Sequence, residues 1–427
     1  MGPAYSLAAT MGPMVAAAGN ATPAALLALS AIMLCVAVGF AQLTRISPNA
    51  GSSYSWIRTA FGTWAGAYGA WLLLLSNFFA TMAIAIPAGI YTLDLFAPRI
   101  ATNPLDDAIV GAVWILGSAA LLYAGIRPTA LVTALALLFE LGVLAVTAVV
   151  AGFVSPAHVA LGTVTHTSSA SVAGLTLFGF FNAMTLGIWM SDGWEVSASA
   201  SEEVDDDRRA AGRGGIAGLV LTTAVLALCM AGYLRAGTVA GFAANQADAM
   251  RYVADILGGG AWRYVIVAAV LTSTCASLWT TILYLSRSVF AMGRDGVLPR
   301  VLGRLDGRAE PLWSLAVIAV VAAAFELLTG FSASAADALN AVINASSVFL
   351  GLLFIFSAAS AAQTFRKRAG ERLAGVLVPL AGALALLGVV AVTIAFEDRI
   401  LQYYALAGIG LGVPFTLWRG RARPAGG

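Results

Sequence analysis

Long apolar runs separated by short polar stretches dominate this chain. They fall at about 4–18, 23–43, 64–95, 108–125, 129–154, 173–198, 215–234, 261–285, 312–329, 338–362, 373–396 and 400–418. Most approach the ~20 apolar residues that carry an α-helix across a bilayer, and none shows the ~10-residue alternation of a barrel strand. Helices and closed barrels alone pair every backbone group in lipid. The pattern therefore predicts an all-α integral membrane bundle of about twelve transmembrane helices. The first run is short and opens on Met1-Gly2-Pro3, so the front half of a spanning helix is expected to be missing there.

Composition agrees. The chain is 60% hydrophobic and 10% charged, against about 25% charged in a soluble protein, so lipid must solvate much of its surface. A net charge of +2 is too small to point to nucleic acid. Cys35, Cys229 and Cys275 sit inside apolar runs and read as small buried hydrophobes. No Lys or Arg precedes Arg45, so the basic start of a cleavable signal is absent.

The basic residues orient the bundle. Arg45, Arg58, Arg127, Arg208, Arg209, Arg213, Arg287, Arg294, Arg300, Arg304, Arg308, Arg366, Lys367, Arg368, Arg372, Arg419, Arg421 and Arg423 all follow even-numbered runs. Arg99, Arg235, Arg251, Arg263 and Arg399 take the other side. An excess of basic loops marks the cytoplasmic face, so both termini are expected in the cytoplasm of a cell with this chain in its inner membrane. The connectors at about 155–172, 199–213, 236–259 and 286–310 are too short for a soluble domain, and Asp205-Asp206-Asp207 reads as a solvated face.

Two runs carry interruption signals. The first holds Gly2, Pro3, Ser6, Thr10, Gly12 and Pro13; the sixth holds Gly179, Asn182, Thr185, Gly187, Ser191, Asp192 and Gly193. They lie five helices apart, the spacing of a bundle built from inverted repeats, here about 1–154 and 173–362, with accessory helices at about 373–418. A broken helix frees N–H groups at one end and carbonyls at the other. The positive end suits a substrate carboxylate, the carbonyl end an ammonium or cation. A zwitterionic amino acid complements both.

Three motifs then point to a family. Pro48-Asn49-Ala50-Gly51-Ser52-Ser53-Tyr54 with Phe61-Gly62 and Trp71 resembles a P-x-x-G-G-x-Y pattern, with Ser52 in place of the second glycine. Gly193-Trp194-Glu195, Ser201-Glu202-Glu203 and Arg208-Arg209 are similar to a G-[FW]-E stretch leading into a basic loop. Arg287 through Met292-Gly293-Arg294-Asp295-Gly296-Val297-Leu298-Pro299, followed by Pro311, is close to R-x-x-x-x-M-x-R-D-G-x-x-P. Together they resemble the amino acid–polyamine–organocation (APC) superfamily of permeases across nearly the whole chain. The resemblance implies a LeuT-like five-plus-five inverted repeat plus two helices, and alternating access. It places the substrate between broken helices one and six and helices three, eight and ten. It puts the first break near Tyr5, Ser6, Leu7, Ala8, Ala9 and Thr10, and the second near Trp189, Met190, Ser191, Asp192 and Gly193, with Trp189 resembling the substrate gate. Glu140 departs from the family, several of whose members carry a lysine near that place in the space of a sodium ion.

Intramembrane polar groups are functional candidates by default. Glu140 lies near the middle of the fifth run. Low-dielectric surroundings disfavour its charged form, which suits a proton carrier; the alternative is a neutral carboxyl bonded to a neighbouring helix. Asp192 could pair with a substrate amine or cap the second half-helix, with Glu195 complementing that half-helix's dipole. Glu326, near the outer end of the ninth run, is expected to reach water. Asn77 and Asn182 read as interhelical hydrogen-bond groups or substrate contacts. Asn340 and Asn344, one turn apart, are candidates for an outer vestibule. Thr272, Ser273, Thr274 and Ser277 could give hydroxyls to sodium, with Ser273 and Ser277 the coupling candidates beside Glu140. His158 and His166 fall in one outer loop and read as solvated.

No H-E-x-x-H and no G-x-x-x-x-G-K-[ST] occurs, so neither a metalloprotease-type site nor a self-contained ATP-driven pump is indicated, and no cofactor is implied. The expected function is secondary transport of an amino acid or related amine across the cytoplasmic membrane, coupled to protons or by exchange. A transport-deficient amino-acid sensor and a carrier of polyamines or other organic cations stand as alternatives.

Overall fold

The computed structural model describes residues 2–49, 51–125, 130–154, 172–199, 201, 209–307, 310–396 and 399–419. His158, His166 and Asp205-Asp206-Asp207 lie outside them. In chain order the helices are α1 (Pro3–Ala18), α2 (Thr22–Ile46), α3 (Ser52–Phe61), α4 (Thr63–Phe96), α5 (Pro104–Tyr123), α6 (Ala130–Val154), α7 (Val172–Met190) and α8 (Val196–Ser199). They continue with α9 (Ala210–Ala236), α10 (Val239–Ala244), α11 (Ala249–Ile256), α12 (Gly260–Arg294), α13 (Leu312–Thr329), α14 (Ala335–Phe365), α15 (Val378–Phe396) and α16 (Arg399–Arg419). Among the described residues, nine stretches are long and apolar enough to span a bilayer; α1 and α2 count as one because only a short 3-10 turn joins them.

Local chemistry sets the boundaries. Asn103 caps α5 by accepting from the Leu105 backbone N–H at 3.0 Å, and Pro104 takes a first-turn position where an N–H would be unpaired. Ser334 caps α14 by accepting from Asp337 N–H at 3.1 Å. Gly62, at φ +90°, turns the chain sharply between α3 and α4. Helices also form between the long apolar runs, one of them within the stretch at about 236–259 that reads as a connector. The Pro48 motif region forms α3, and the segment after α9 forms α10 and α11, helices too short to leave an apolar-run signal.

Helices α4 and α14 pack together at the centre, with α1 against α7 and α12. One end of the bundle is tied by Arg58 and Tyr54 on Asp295, each at 3.0 Å, and by edge-on rings of Phe40 against Trp56, Trp194 and Phe354 at 5.2, 4.9 and 5.7 Å. At the opposite end α10 and α11 cover α1. Asn340 Nδ2 donates to Gln246 Oε1 at 3.0 Å, Asp94 binds Arg251 at 2.9 Å and also Arg263, and Gly12 lies so close to the Gln246 backbone that a methyl group would overlap it.

Glu326 departs from expectation. It is completely buried, with no hydrogen-bond partner on either carboxyl oxygen, because α4 and α5 cover the face of α13 that carries it. Nearness to the end of an apolar run measures depth along the helix, not what packs on its side.

Candidate functional site

A cavity of about 180 Å³ lies where the start of α1, the end of α7, and the faces of α4, α6 and α12 converge. The α7 ladder ends with Ser191 N–H on Gly187 O at 2.9 Å and Asp192 N–H on Trp189 O at 3.0 Å. Gly193 then takes φ +102°, a left-handed conformation that glycine alone adopts without strain. Its N–H donates to Glu195 Oε2 at 2.9 Å, and helical bonding resumes with Ala198 N–H on Glu195 O. Trp194, buried among Phe40 and Phe354, fixes this irregular segment to α2 and α14. Irregular backbone at membrane depth is tolerated where it borders a cavity, as here.

The first helix differs from the expectation. The ladder is continuous from Pro3 to Ala18, so no break lies at Tyr5–Thr10. Tyr5 lines the cavity; Ser6, Leu7, Ala8, Ala9 and Thr10 are buried turns of regular helix behind it. The polar signals have local explanations: Thr10 Oγ1 donates to Ser6 O at 2.5 Å, and Gly12 admits Gln246. Pro13 is accommodated within the helix. It is the N-terminal end of α1 that meets the cavity. Ala4 N–H donates to Glu140 Oε2 at 3.1 Å and Tyr5 N–H to Ser273 Oγ at 3.3 Å. Glu140 thus sits on the positive end of the helix, where a carboxylate is stabilised.

Of the other expected residues, Asn77, Trp189, Asp192, Gly193, Ser273 and Ser277 line the same cavity. Asn77 Nδ2 donates to its own helix at Leu73 O, 3.0 Å. Trp189 meets Tyr5 edge-on at 5.6 Å between ring centres. Met190 and Ser191 are buried beside the lining without forming it, and Asn182 lies further back on α7 with its Oδ1 unpartnered. Asp192 does not cap the second half-helix: α8 starts at Val196, and Asp192 Oδ1 is buried with no partner. Glu195 lines the cavity and turns its carboxyl back to Gly193 instead of complementing a helix ahead of it. Thr272 faces a separate pocket with Cys275, and Thr274 donates to Val270 O, so only Ser273 and Ser277 of that hydroxyl group reach the cavity. Asn340 is tied to Gln246, and Asn344 Nδ2 donates to Asn340 O at 3.1 Å.

Thr280, Thr281 and Tyr284 on α12 and Thr133 on α6 also line the cavity and were not singled out from sequence. Their signal was present. Ser273, Ser277, Thr280, Thr281 and Tyr284 recur at helical spacing and form one polar stripe. Three carboxyls, from Glu140, Asp192 and Glu195, and no Lys or Arg side chain line the space among the described residues.

A helical membrane bundle with an interrupted helix beside a buried polar cavity has the architecture of a solute transporter. Its fold is that of a manganese transporter from Eremococcus coleocola, crystallised with an aromatic bis-isothiourea compound: TM-score 0.60, 17% identity, 98% of this chain and 93% of that one. The LeuT-like fold expected from the motifs is therefore present. The amino acid permease family model matches residues 1–411, and the chain belongs to that family. It is 28% identical over 308 residues, 68% of its length, to the branched-chain amino acid permease BcaP of Lactococcus lactis, of which that match spans 65%. An uncharacterised transporter of Mycobacterium tuberculosis is 29% identical over 360 residues, 81% of this chain and 76% of that one. The protein is a multi-pass membrane transporter.

Proposed function

We propose that the chain is a secondary active transporter of amino acids or related amines, working by alternating access across the cytoplasmic membrane with both termini inside. The observation that carries the reading is Asp192 at the interruption of α7, one of whose carboxyl oxygens, Oδ1, is buried without a partner, facing the same cavity as the N-terminal end of α1. An ammonium group supplies the donor that Asp192 Oδ1 lacks, and a buried acceptor without a donor costs roughly 1–3 kcal/mol. A substrate carboxylate competes with Glu140 for the α1 N–H groups. The likeness to a branched-chain amino acid permease supports an amino acid as cargo. The acidic lining favours amino acids with an added positive charge, or polyamines, over anionic ones. Coupling to protons runs through Glu140 in this reading, because that carboxyl accepts from the Ala4 N–H of α1; exchange of one amine for another is the alternative mode, and the hydroxyls of Ser273 and Ser277 are the place for a sodium ion if one is used. The inverted repeats span about 1–154 and 173–362.

Purified full chain in proteoliposomes tests this. Labelled amino acids and diamines are offered with an inward pH gradient, without one, and with unlabelled amine inside. Uptake that follows the gradient supports proton coupling, and uptake that needs internal amine supports exchange. Ligand-induced thermal stabilisation without uptake in any arm would replace the transporter reading with the sensor.

A further inference from the structure

Two buried acids lie outside the cavity, where α5 packs on α13. Asp107 stands one turn into α5 and is 2% exposed; Glu326 stands in the last turn of α13 and is 0% exposed. Neither oxygen of Glu326 has a hydrogen-bond partner, nor has Asp107 Oδ1. The place is shaped for these groups. A side chain at Gly89 of α4 would overlap the Asp107 carboxyl, and one at Gly111 of α5 would overlap Glu326 Oε1, with the Ala85 carbonyl alongside. The glycines clear room on two helices for two carboxyl groups.

Among the described residues no Lys or Arg side chain pairs with either carboxyl. Asp107 stands on α5 one turn before Gly111, the residue against which Glu326 Oε1 lies. On α4, Asp94 is held by Arg251 and Arg263, and the Tyr91 hydroxyl accepts from Met250 N–H. On α5 the remaining acid near this end is Asp106, part-exposed beside the cap. Helix α13 has no other titratable residue; α12 offers Arg263, spent on Asp94, the exposed Tyr264, and Cys275, which faces another pocket, while its Tyr284 lines the transport cavity and Arg287 and Arg294 lie towards its far end. Asp337 of α14 is bonded to Ser334.

An ionised carboxyl sealed from water and without a counter-ion costs several kcal/mol, and two together repel. The helix ends divide the roles. Asp107 lies near the positive end of α5, which tolerates a carboxylate, whereas Glu326 lies near the negative end of α13, which opposes one. We propose that Asp107 and Glu326 form a proton-binding site apart from the transport cavity, with the proton resident on Glu326 while α5 and α13 stay packed. The proton comes from water when the seam opens and returns to it when the pair separates.

Infrared spectroscopy of the full chain in lipid, wild type minus Glu326→Gln, reads this directly. A protonated-carboxyl carbonyl band assigned to Glu326 at neutral pH is expected in sodium-free buffer, unchanged on adding sodium. Asp107→Asn keeps that band, because Glu326 still holds its proton. Absence of the band in the difference spectrum, or its loss when sodium is added, overturns the proposal. Thermal unfolding gives a second readout. A carboxyl protonated in the native state and ionised in the unfolded one, where Glu titrates near about 4.3, makes the native state bind more protons. Stability then falls as pH rises above that value. Glu326→Gln, neutral and close in shape, is expected to fold and to flatten this slope. An equal slope in both proteins overturns the proposal as well.

Discussion

The two helix ends at the cavity are opposites in how their polar groups are served. The N-terminal end of α1 is occupied: Ala4 and Tyr5 N–H groups already have Glu140 and Ser273 as acceptors. The end of α7 is open: Ser191 Oγ and Asp192 Oδ1 are buried without partners. A site complete in itself has no need of a ligand, and a site of orphans is unstable until one arrives. The contrast supports the proposal that α7 holds the cargo. In that proposal α1 responds, because any group that displaces Glu140 changes what fastens α1 to α6.

The strongest way to break the contrast is to unfasten α1. Glu140→Ala leaves a buried N–H without an acceptor and opens space beside it, a loss of about 1–3 kcal/mol seen as a lower Tm in thermal unfolding. Glu140→Gln keeps a side-chain oxygen for Ala4 and is expected to recover most of that loss. If uptake is proton-driven through this carboxyl, the glutamine variant loses its dependence on the pH gradient while remaining folded. Full gradient-driven uptake by Glu140→Gln would remove Glu140 from coupling.

Next comes the irregular backbone itself. Gly193→Ala puts a side chain at φ +102°, which costs of order 1–3 kcal/mol of backbone strain. The expected result is a lower Tm and weaker binding of an amine in a thermal-shift titration, since Asp192 and Glu195 flank the bend. A variant with wild-type stability and affinity would mean the interruption carries no special conformation.

How legible this was from sequence follows the same physics. The interruption of α7 was visible because Ser191, Asp192 and Gly193 cluster polarity and flexibility inside an apolar run. Glu140 was visible as a lone charge among apolar residues. The expected break at Tyr5–Thr10 was misplaced because glycine and proline also serve packing: Gly12 admits Gln246 and Pro13 sits inside a regular helix. Burial of Glu326 was hidden because it depends on α4 and α5, helices far off in the chain. The α10–α11 cover was hidden for want of a long periodic stretch.

The smallest expected effect tests whether the two ends communicate. Tyr5, on the occupied end, and Trp189, on the open one, touch edge-on at 5.6 Å. Such pairs contribute about 0.5–1.5 kcal/mol beyond the area they bury. Tyr5→Leu and Trp189→Leu each remove that term along with some packing, so a double-mutant cycle is needed to isolate it. Measured on Tm without ligand, the coupling should fall in that range. Measured on the ligand-induced shift, it should be larger, because cargo bound at Asp192 would act on α1 through this ring contact. Equal coupling with and without amine would mean that the rings are packing alone. The link from α7 to α1 would then have to run through the cargo itself.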